Sequence, residues 1–381
     1  MDFDIRLIQR HRVRFCGDVW RPEDPTLAEV LAGSSPDSKL LTFIDAQVAD
    51  AWPDTQAQLQ SYVAHHRLPL RVLAPIRRVV PGEAVKNEPG YVLPMLEQIA
   101  EARIDRQSYV LVIGGGAVLD AVGFAAAVAH RGVRLIRMPT TTLAQADSGV
   151  GVKNSLNAFG QKNFIGTFAV PHAVVNSHHW LTTLPQREWV AGFSEAVKVA
   201  LLKDADLFDV ITRDAGRLRH RASPLSHQVI YRSAMLHARH IAEGGDPFEQ
   251  GSARPLDFGH WAAHRLELMT RHRLSHGEAV AIGLALDCTY AARIGMLPPD
   301  VTRRVIDTLA RLGLPVCDDA VADTDDLLQG LDDFREHLGG QLTLTMLRGI
   351  AQPVDVHAID RSVMIAAIAA LRDAAVPSAI Q

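Results

Sequence analysis

Four short apolar runs, each closed by a residue that stops or turns a strand, constrain this chain more than any other feature. Leu40-Leu41-Thr42-Phe43-Ile44 ends at Asp45, and Tyr109-Val110-Leu111-Val112-Ile113 runs into Gly114-Gly115-Gly116. Val133-Arg134-Leu135-Ile136-Arg137-Met138 ends at Pro139, and Ala173-Val174-Val175 ends at Asn176. Helix-like stretches such as Tyr91 to Ala102 and Ala117 to His130 lie between them. Apolar strands alternating with helices form a parallel sheet covered on both faces. From about Gln186 to Leu312 the pattern becomes long amphipathic helices with no convincing strand, and Leu342-Thr343-Leu344-Thr345-Met346-Leu347 is an isolated later candidate. The expectation is an α/β, Rossmann-like domain at 1–183 followed by a mainly α-helical domain at 184–381, and 381 residues suffice for two cores.

Composition removes several function classes. Hydrophobic residues make up 48% and charged residues 22%, which leaves no case for disorder. A formal net charge of -4 argues against nucleic-acid binding through bulk basic charge, leaving only a local basic pocket. Cys16, Cys288 and Cys317 are widely spaced and form no CxxC pair, which fits a reducing cytoplasm. The N-terminal residues contain no apolar signal region, and the longest uncharged apolar stretch, around Gly123 to Ala129, falls far short of the roughly 20 residues a membrane span needs. The expectation is a cytoplasmic protein with no membrane partner. There are 17 histidines, and His237, His240, His260, His264, His272 and His276 fall close together in the helical half.

Four motifs carry chemistry. Gly114-Gly115-Gly116 sits where a strand feeds a helix, where backbone amides can approach a diphosphate at a helix N-terminus. It lacks GxGxxG spacing, and many such turns are glycine-rich for steric reasons alone. A polar block runs from Arg131-Gly132 through Thr140-Thr141-Thr142, Asp147, Lys153-Asn154 and Lys162-Asn163. Donors gathered in loops after strands can hold a phosphate or polyol, although any single lysine among them reads better as a solvated surface residue. His260 and His264 are four apart on one helix face, and His276 opens the next helix. With a carboxylate from elsewhere they can form a divalent-metal site, and spacing alone selects His260 and His264 as the ligand pair. Glu195 and Lys198 are three apart in an apolar helix, either as a surface ion pair or as a buried carboxylate that needs a cation or metal.

Together these segments resemble the sugar phosphate cyclases, the superfamily of 3-dehydroquinate synthase. The matching stretches are Gly114 to Gly123, Arg131-Gly132 through Phe168, Gly192 to Lys198 and Asp257 through Gly283, in the family's order. The resemblance implies a dehydroquinate synthase-like fold, with an NAD-binding domain, a helical metal domain and an active site in the cleft between them. It implies NAD contacts at Asp45, Glu83, Lys86, Gly115, Gly116, Asp120, Thr140, Thr141 and Thr183. It implies zinc or cobalt ligands at Glu195, His260 and His276, and so moves His264 from ligand to catalytic contact. Lys153, Lys198, Asp147 and Asp257 match further catalytic positions. Arg131, Lys162 and Asn163 match substrate-binding ones, with Arg131 reaching the neighbouring subunit of a homodimer, and Arg254 is a nearby substrate candidate. The implied reaction transiently oxidises a hydroxyl of a sugar phosphate with NAD, eliminates phosphate, returns the hydride and closes the ring by an aldol step.

The departures bear on substrate. Where 3-dehydroquinate synthases usually carry Arg seven residues before the first metal histidine and Asn three before it, this chain has Ala253 and Asp257. Loss of a guanidinium removes a bidentate carboxylate contact. Arg239 stands at a family lysine, and a late active-site lysine has only Arg335 or His337 as candidates. Asp257 is shared with the 2-epi-5-epi-valiolone synthase branch, which takes sedoheptulose 7-phosphate, a ketose phosphate without a carboxylate. That branch commonly has Pro at the position of His264. The expected activity is therefore cyclisation of a seven-carbon, non-carboxylate sugar phosphate, with 3-dehydroquinate synthase as the alternative. A metal-dependent alcohol dehydrogenase, which would release NADH, is the more distant alternative.

Overall fold

The computed structural model describes residues 1–3, 7–249, 255–337 and 340–375, and the chain divides into two compact units, Met1–Leu184 and Pro185–Gln381. In the first unit the strands are β1 (Val13–Cys16), β2 (Lys39–Asp45), β3 (Arg71–Val72), β4 (Arg77–Val79), β5 (Tyr109–Gly114), β6 (Arg134–Pro139), β7 (Lys153–Ala158), β8 (Gln161–Phe168) and β9 (Ala173–Ser177). Seven of them form one sheet in the order β1-β9-β6-β5-β2-β3, with β4 also on β2, and every pairing is parallel. The side chains of β5 are buried along its whole length. Val110 and Val112 pack into one apolar cluster, and Tyr109, Leu111 and Ile113 into another, one cluster on each face of the sheet. This two-sided burial is why the strand reads as an uninterrupted apolar run.

All four strands expected from sequence are present, as are helices at Val92–Glu101 and Gly116–Val128. Two elements depart from expectation. Lys153, Lys162 and Asn163 are not in loops: β7 and β8 form a separate antiparallel hairpin with Lys153 opposite Phe168. The ribbon packs on helix Gly116–Val128 instead of entering the central sheet. The N-terminal stretch, which carries no sequence signal, supplies the edge strand β1 beside β9.

In the second unit, helices occupy Gln186–Ala191, Phe193–Lys203, Ala205–Arg219, Leu225–Glu243, His260–Met269, His276–Arg293, Pro299–Leu312, Thr324–His337 and Arg361–Ala375. The late strand candidate is β10 (Leu344–Gly349), and it has a partner that the sequence reading missed, β11 (Gln352–Val356), antiparallel to it. Two backbone contacts draw the central helices together. Gly259 has φ +79°, and a Cβ on Gly283 would lie 2.0 Å from the Gly259 carbonyl oxygen. A Cβ on Gly277 would lie 2.1 Å from the Ala191 carbonyl oxygen. Only glycine permits either approach, and each lies next to a residue of the candidate metal site. Among the described residues no helix is long and apolar enough to cross a membrane.

Candidate active site

The sheet order reverses at β2 and β5. From β2 the chain moves outward to β3 and β4, then returns to β5 on the other side and continues through β6 to β9. Ligands of open parallel sheets bind beyond the carboxyl ends of strands at such a switch point. Asp45 ends β2, Gly114 ends β5, Thr140 and Thr141 follow β6, and Thr183 follows β9. Gly115 is the extended N-cap of helix Gly116–Val128, leaving the first amides of that helix directed beyond the sheet. Asp45 accepts from the amides of Gln47 (2.8 Å) and Val48 (3.4 Å), and burial raises its pKa against those hydrogen bonds. Trp52 Nε1 donates to Thr183 Oγ1 at 3.0 Å.

The hairpin brings two sets of expected residues into contact. Lys86 is buried, and its Nζ donates to Asp120 Oδ2 (2.8 Å), Ser155 Oγ (3.0 Å) and Asn163 Oδ1 (2.6 Å). Lys162 Nζ lies 3.6 Å from Glu83 Oε1, which also accepts from Asn157 Nδ2 at 3.0 Å. Lys86, Asp120 and Glu83, the expected dinucleotide residues, are thus tied to Lys162 and Asn163, expected to meet substrate. Asp147 is buried in a π-helical turn, Ala144–Ser148, while Lys153 is exposed at the start of β7. Arg131 is exposed, and both it and His130 are left-handed, with φ +63° and +51°.

In the second unit one ligand atom from each of Glu195, His260 and His276 lies within 4.8 Å of the others. Glu195 comes from the first turn of helix Phe193–Lys203, His260 opens the helix behind Gly259, and His276 opens the next. The start of that last helix is fixed by a capping box. The Glu278 amide donates to Ser275 Oγ, and the Ser275 amide donates to Glu278 Oε2 at 2.8 Å. Arg187 Nε holds the same carboxylate at 2.7 Å.

Both imidazoles present Nε2 inward. His260 Nδ1 donates to the Phe258 carbonyl at 3.1 Å, and His276 Nδ1 donates to Glu267 Oε2 at 3.0 Å. Their Nε2 atoms lie 3.5 and 3.1 Å from Glu195 Oε1. Lys198 Nζ lies 2.6 Å from Glu195 Oε2, a close ion contact outside hydrogen-bond geometry. Burial alone would raise the Glu195 pKa, but Lys198, His260 and His276 hold it well below the usual carboxylate range. Burial likewise opposes the His276 imidazolium, yet Glu267 and Glu195 raise its pKa to about 9. A buried carboxylate and two Nε2 atoms converging on one point, with the Nδ1 atoms already committed, suit a tetrahedral divalent cation with a fourth position left for substrate.

Spacing alone selects His260 and His264, and the structure corrects that choice. His264 stands beside the triad, its ring centroid 5.5 Å from His260 and 6.0 Å from His276, with its nearest ligand grouping formed by Glu267 and His276. Glu267 was missed, although it follows His260 and His264 on the same helical face at the i+7 position. Asp287 was also missed: it is buried, and accepts from Trp261 Nε1 at 2.9 Å and from the Gly259 amide at 3.0 Å. Asp257 ends a short 3-10 turn, Pro255–Asp257, three residues before His260. Of the two candidates for the late lysine, Arg335 is paired with Asp332 at 3.2 Å, and the His337 side chain lies outside the described residues, as do Ala253 and Arg254. Arg239 is exposed on helix Leu225–Glu243.

A switch-point glycine turn in one unit and a His-His-Glu cation site in the other define a dinucleotide- and metal-dependent enzyme. The profile described as 3-dehydroquinate synthase N-terminal matches residues 77–191, and that described as 3-dehydroquinate synthase C-terminal matches residues 192–333. The chain is 33% identical over 353 residues to 2-epi-5-epi-valiolone synthase of Streptomyces glaucescens, covering 92% of this chain and 88% of the relative. It is 37% identical over 276 residues to 3-dehydroquinate synthase of Ruegeria sp., covering 71% and 73%. Its fold matches 2-epi-5-epi-valiolone synthase of Streptomyces hygroscopicus, solved with NAD+ and Zn2+ bound, at a TM-score of 0.89 and 27% identity, over 98% of this chain and 100% of that one. The chain belongs to the sugar phosphate cyclase superfamily of 3-dehydroquinate synthase-like enzymes.

Proposed function

We propose that the enzyme cyclises sedoheptulose 7-phosphate, or a similar ketose phosphate without a carboxylate, to a cyclitol with release of phosphate. The observation that carries this reading is Asp257, which stands three residues before the metal-site histidine His260. A carboxylate there repels an acidic substrate and accepts a hydrogen bond from a hydroxyl. The relative that matches over 88% of its length, 2-epi-5-epi-valiolone synthase, supports the same branch. His264 favours the second reading, 3-dehydroquinate synthase, because the valiolone branch commonly has Pro there.

When bound, NAD supplies a reversible hydride acceptor and a zinc or cobalt ion a Lewis acid for the reacting oxygen. The chain's residues do the rest. Asp45, Glu83, Lys86, Gly115, Gly116, Asp120, Thr140, Thr141 and Thr183 hold the dinucleotide. Glu195, His260 and His276 hold the cation, with Glu267 and the Phe258 carbonyl fixing both rings in the Nδ1–H tautomer. His264 offers an imidazole for proton movement beside the cation. Lys153, Lys162, Asn163, Lys198 and Asp147 orient the substrate and its phosphate. Arg131, exposed here, matches the family position that reaches a partner's site, which is the ground for a homodimer. Free thiols at Cys16, Cys288 and Cys317 fit a cytoplasmic setting.

The test offers zinc- and NAD-loaded protein sedoheptulose 7-phosphate and 3-deoxy-arabino-heptulosonate 7-phosphate separately, measuring orthophosphate, NADH and product. Phosphate release from the first alone, without net NADH, is expected. Turnover of the second alone moves the enzyme to the dehydroquinate branch, and net NADH without phosphate moves it to the alcohol dehydrogenases.

A further inference from the structure

Arg137 is a cation in the middle of β6, fully buried on the sheet face where its strand neighbour Leu135 packs into the apolar cluster with Val118 and Val122. Burial at such a position lowers the pKa of the guanidinium, opposed only by the charge of Asp120. No carboxylate is hydrogen-bonded to it among the described residues. Its partners all lie in one segment: Nη1 donates to the carbonyls of Gly149 (3.3 Å) and Gly151 (2.8 Å), and Nη2 to the carbonyl of Lys153 (2.7 Å) and to Asn154 Oδ1 (2.6 Å). This is the stretch that leads from the Asp147 turn into β7.

The acceptor on Asn154 is itself built in. A Cβ on Gly123 would lie 1.9 Å from Asn154 Oδ1, so the helix that starts at the glycine turn leaves room for this amide. Successive strand side chains point to opposite faces. With Asn154 buried against Arg137, its neighbour Lys153 is turned to the other side of the ribbon, where it is exposed at the strand's start although Ser155 and Asn157 beyond it are buried. A planar guanidinium can hold all four acceptors at once, and a lysine ammonium cannot reproduce that fork.

We infer that Arg137 is a positioning residue for Lys153, fixing the backbone at Gly149, Gly151 and Lys153 and the amide of Asn154, and thereby setting where Lys153 Nζ is presented. This rests on the reading of Lys153 as a substrate contact. A residue that acts through Lys153 loses its effect once Lys153 is gone, whereas one that only stabilises the fold does not.

The experiment is a double-mutant cycle on the full, zinc- and NAD-loaded chain, using whichever of the two heptulose phosphates it turns over and reading phosphate release. Arg137→Lys lowers kcat/KM at least tenfold in the wild-type background and less than threefold in the Lys153→Ala background, with the Kd for NAD changed less than twofold. If Lys153→Ala falls below detection, Lys153→Arg supplies the second background. Equal losses in both backgrounds, or no loss in the first, overturn the inference. Full activity of Lys153→Ala by itself overturns the reading of Lys153, a distinct result. If Arg137→Lys fails to fold, Gly123→Ala repeats the cycle, because its Cβ displaces the Asn154 amide while leaving the guanidinium in place. The same suppression by Lys153→Ala is then required, and its absence refutes the clip.

Discussion

Glu267→Gln keeps the shape of the buried residue behind His276 and removes its charge. The contact is 3.0 Å between His276 Nδ1 and Glu267 Oε2. A hydrogen bond to a charged group contributes about 1.5–3 kcal/mol against about 0.5–1.5 for a neutral pair, so the variant forfeits roughly 1–1.5 kcal/mol of support for His276. That corresponds to about tenfold weaker binding, at the lower end of the 10–100-fold effect typical of such partners. Protons complicate the readout in a way that sharpens it. Glu267 also helps raise the imidazolium pKa to about 9, and metal must displace that proton. Below pH about 9 the wild type therefore gives up affinity to the proton, while the variant, with its lower pKa, gives up less. Zinc affinity measured by competition with a chromophoric chelator should be about tenfold weaker in the variant above that pH, and the gap should narrow as pH falls. Equal affinity at high pH, with an unchanged circular dichroism spectrum, would falsify the assignment of Glu267 as the group that orients His276.

Three further outcomes follow from the same geometry. His276→Ala removes one of three donors and should abolish zinc retention through gel filtration; stoichiometric zinc in the variant would remove it from the ligand set. Gly283→Ala drives a Cβ to 2.0 Å from the Gly259 carbonyl oxygen, so thermal unfolding should show a loss of about 3 kcal/mol or more, and a variant as stable as wild type refutes that close approach. Asp287 carries a carboxyl whose pKa burial raises from 3.8 to about 7, against the hydrogen bonds from Trp261 and Gly259. Its folded form therefore holds a proton that the unfolded chain has released, and stability is lost as pH rises from about 4 through 7, by at most roughly 4 kcal/mol. Asp287→Asn, whose amide nitrogen cannot accept one of those two hydrogen bonds, should be less stable than wild type near pH 4 and recover relative to it as pH rises to about 7, and a difference independent of pH contradicts the buried-proton account.

The central sheet was legible because its strands are buried on both faces. In β5 no residue has to answer to water, so Tyr109 to Ile113 is apolar throughout and the glycine turn marks its end. The hairpin was not legible for the opposite reason. In β8, Phe164, Gly166 and Phe168 are exposed while Lys162, Asn163, Ile165 and Thr167 are only half-buried, so neither a continuous apolar run nor a clean alternation forms. Arg137 was hidden inside a correctly expected strand. A charged residue in β6 reads as a flaw in an apolar run until the four acceptors around it are known.

The metal site shows where periodicity stops being informative. His260, His264 and Glu267 share one helix face, so spacing ranks them alike, and it puts Glu195 and His276 on other helices where it has nothing to say. Their separation into three converging groups and two neighbours depends on distances set by backbone contact, at Gly259 with Gly283 and at Gly277 with Ala191. It also depends on which ring nitrogen is already occupied. A histidine whose Nδ1 is committed to the Phe258 carbonyl or to Glu267 has only Nε2 to offer, and those two nitrogens meet at Glu195. The family resemblance names these positions without the physical reason. That reason lies in glycines that let three helices close, and in a buried acid and a carbonyl that choose the tautomers.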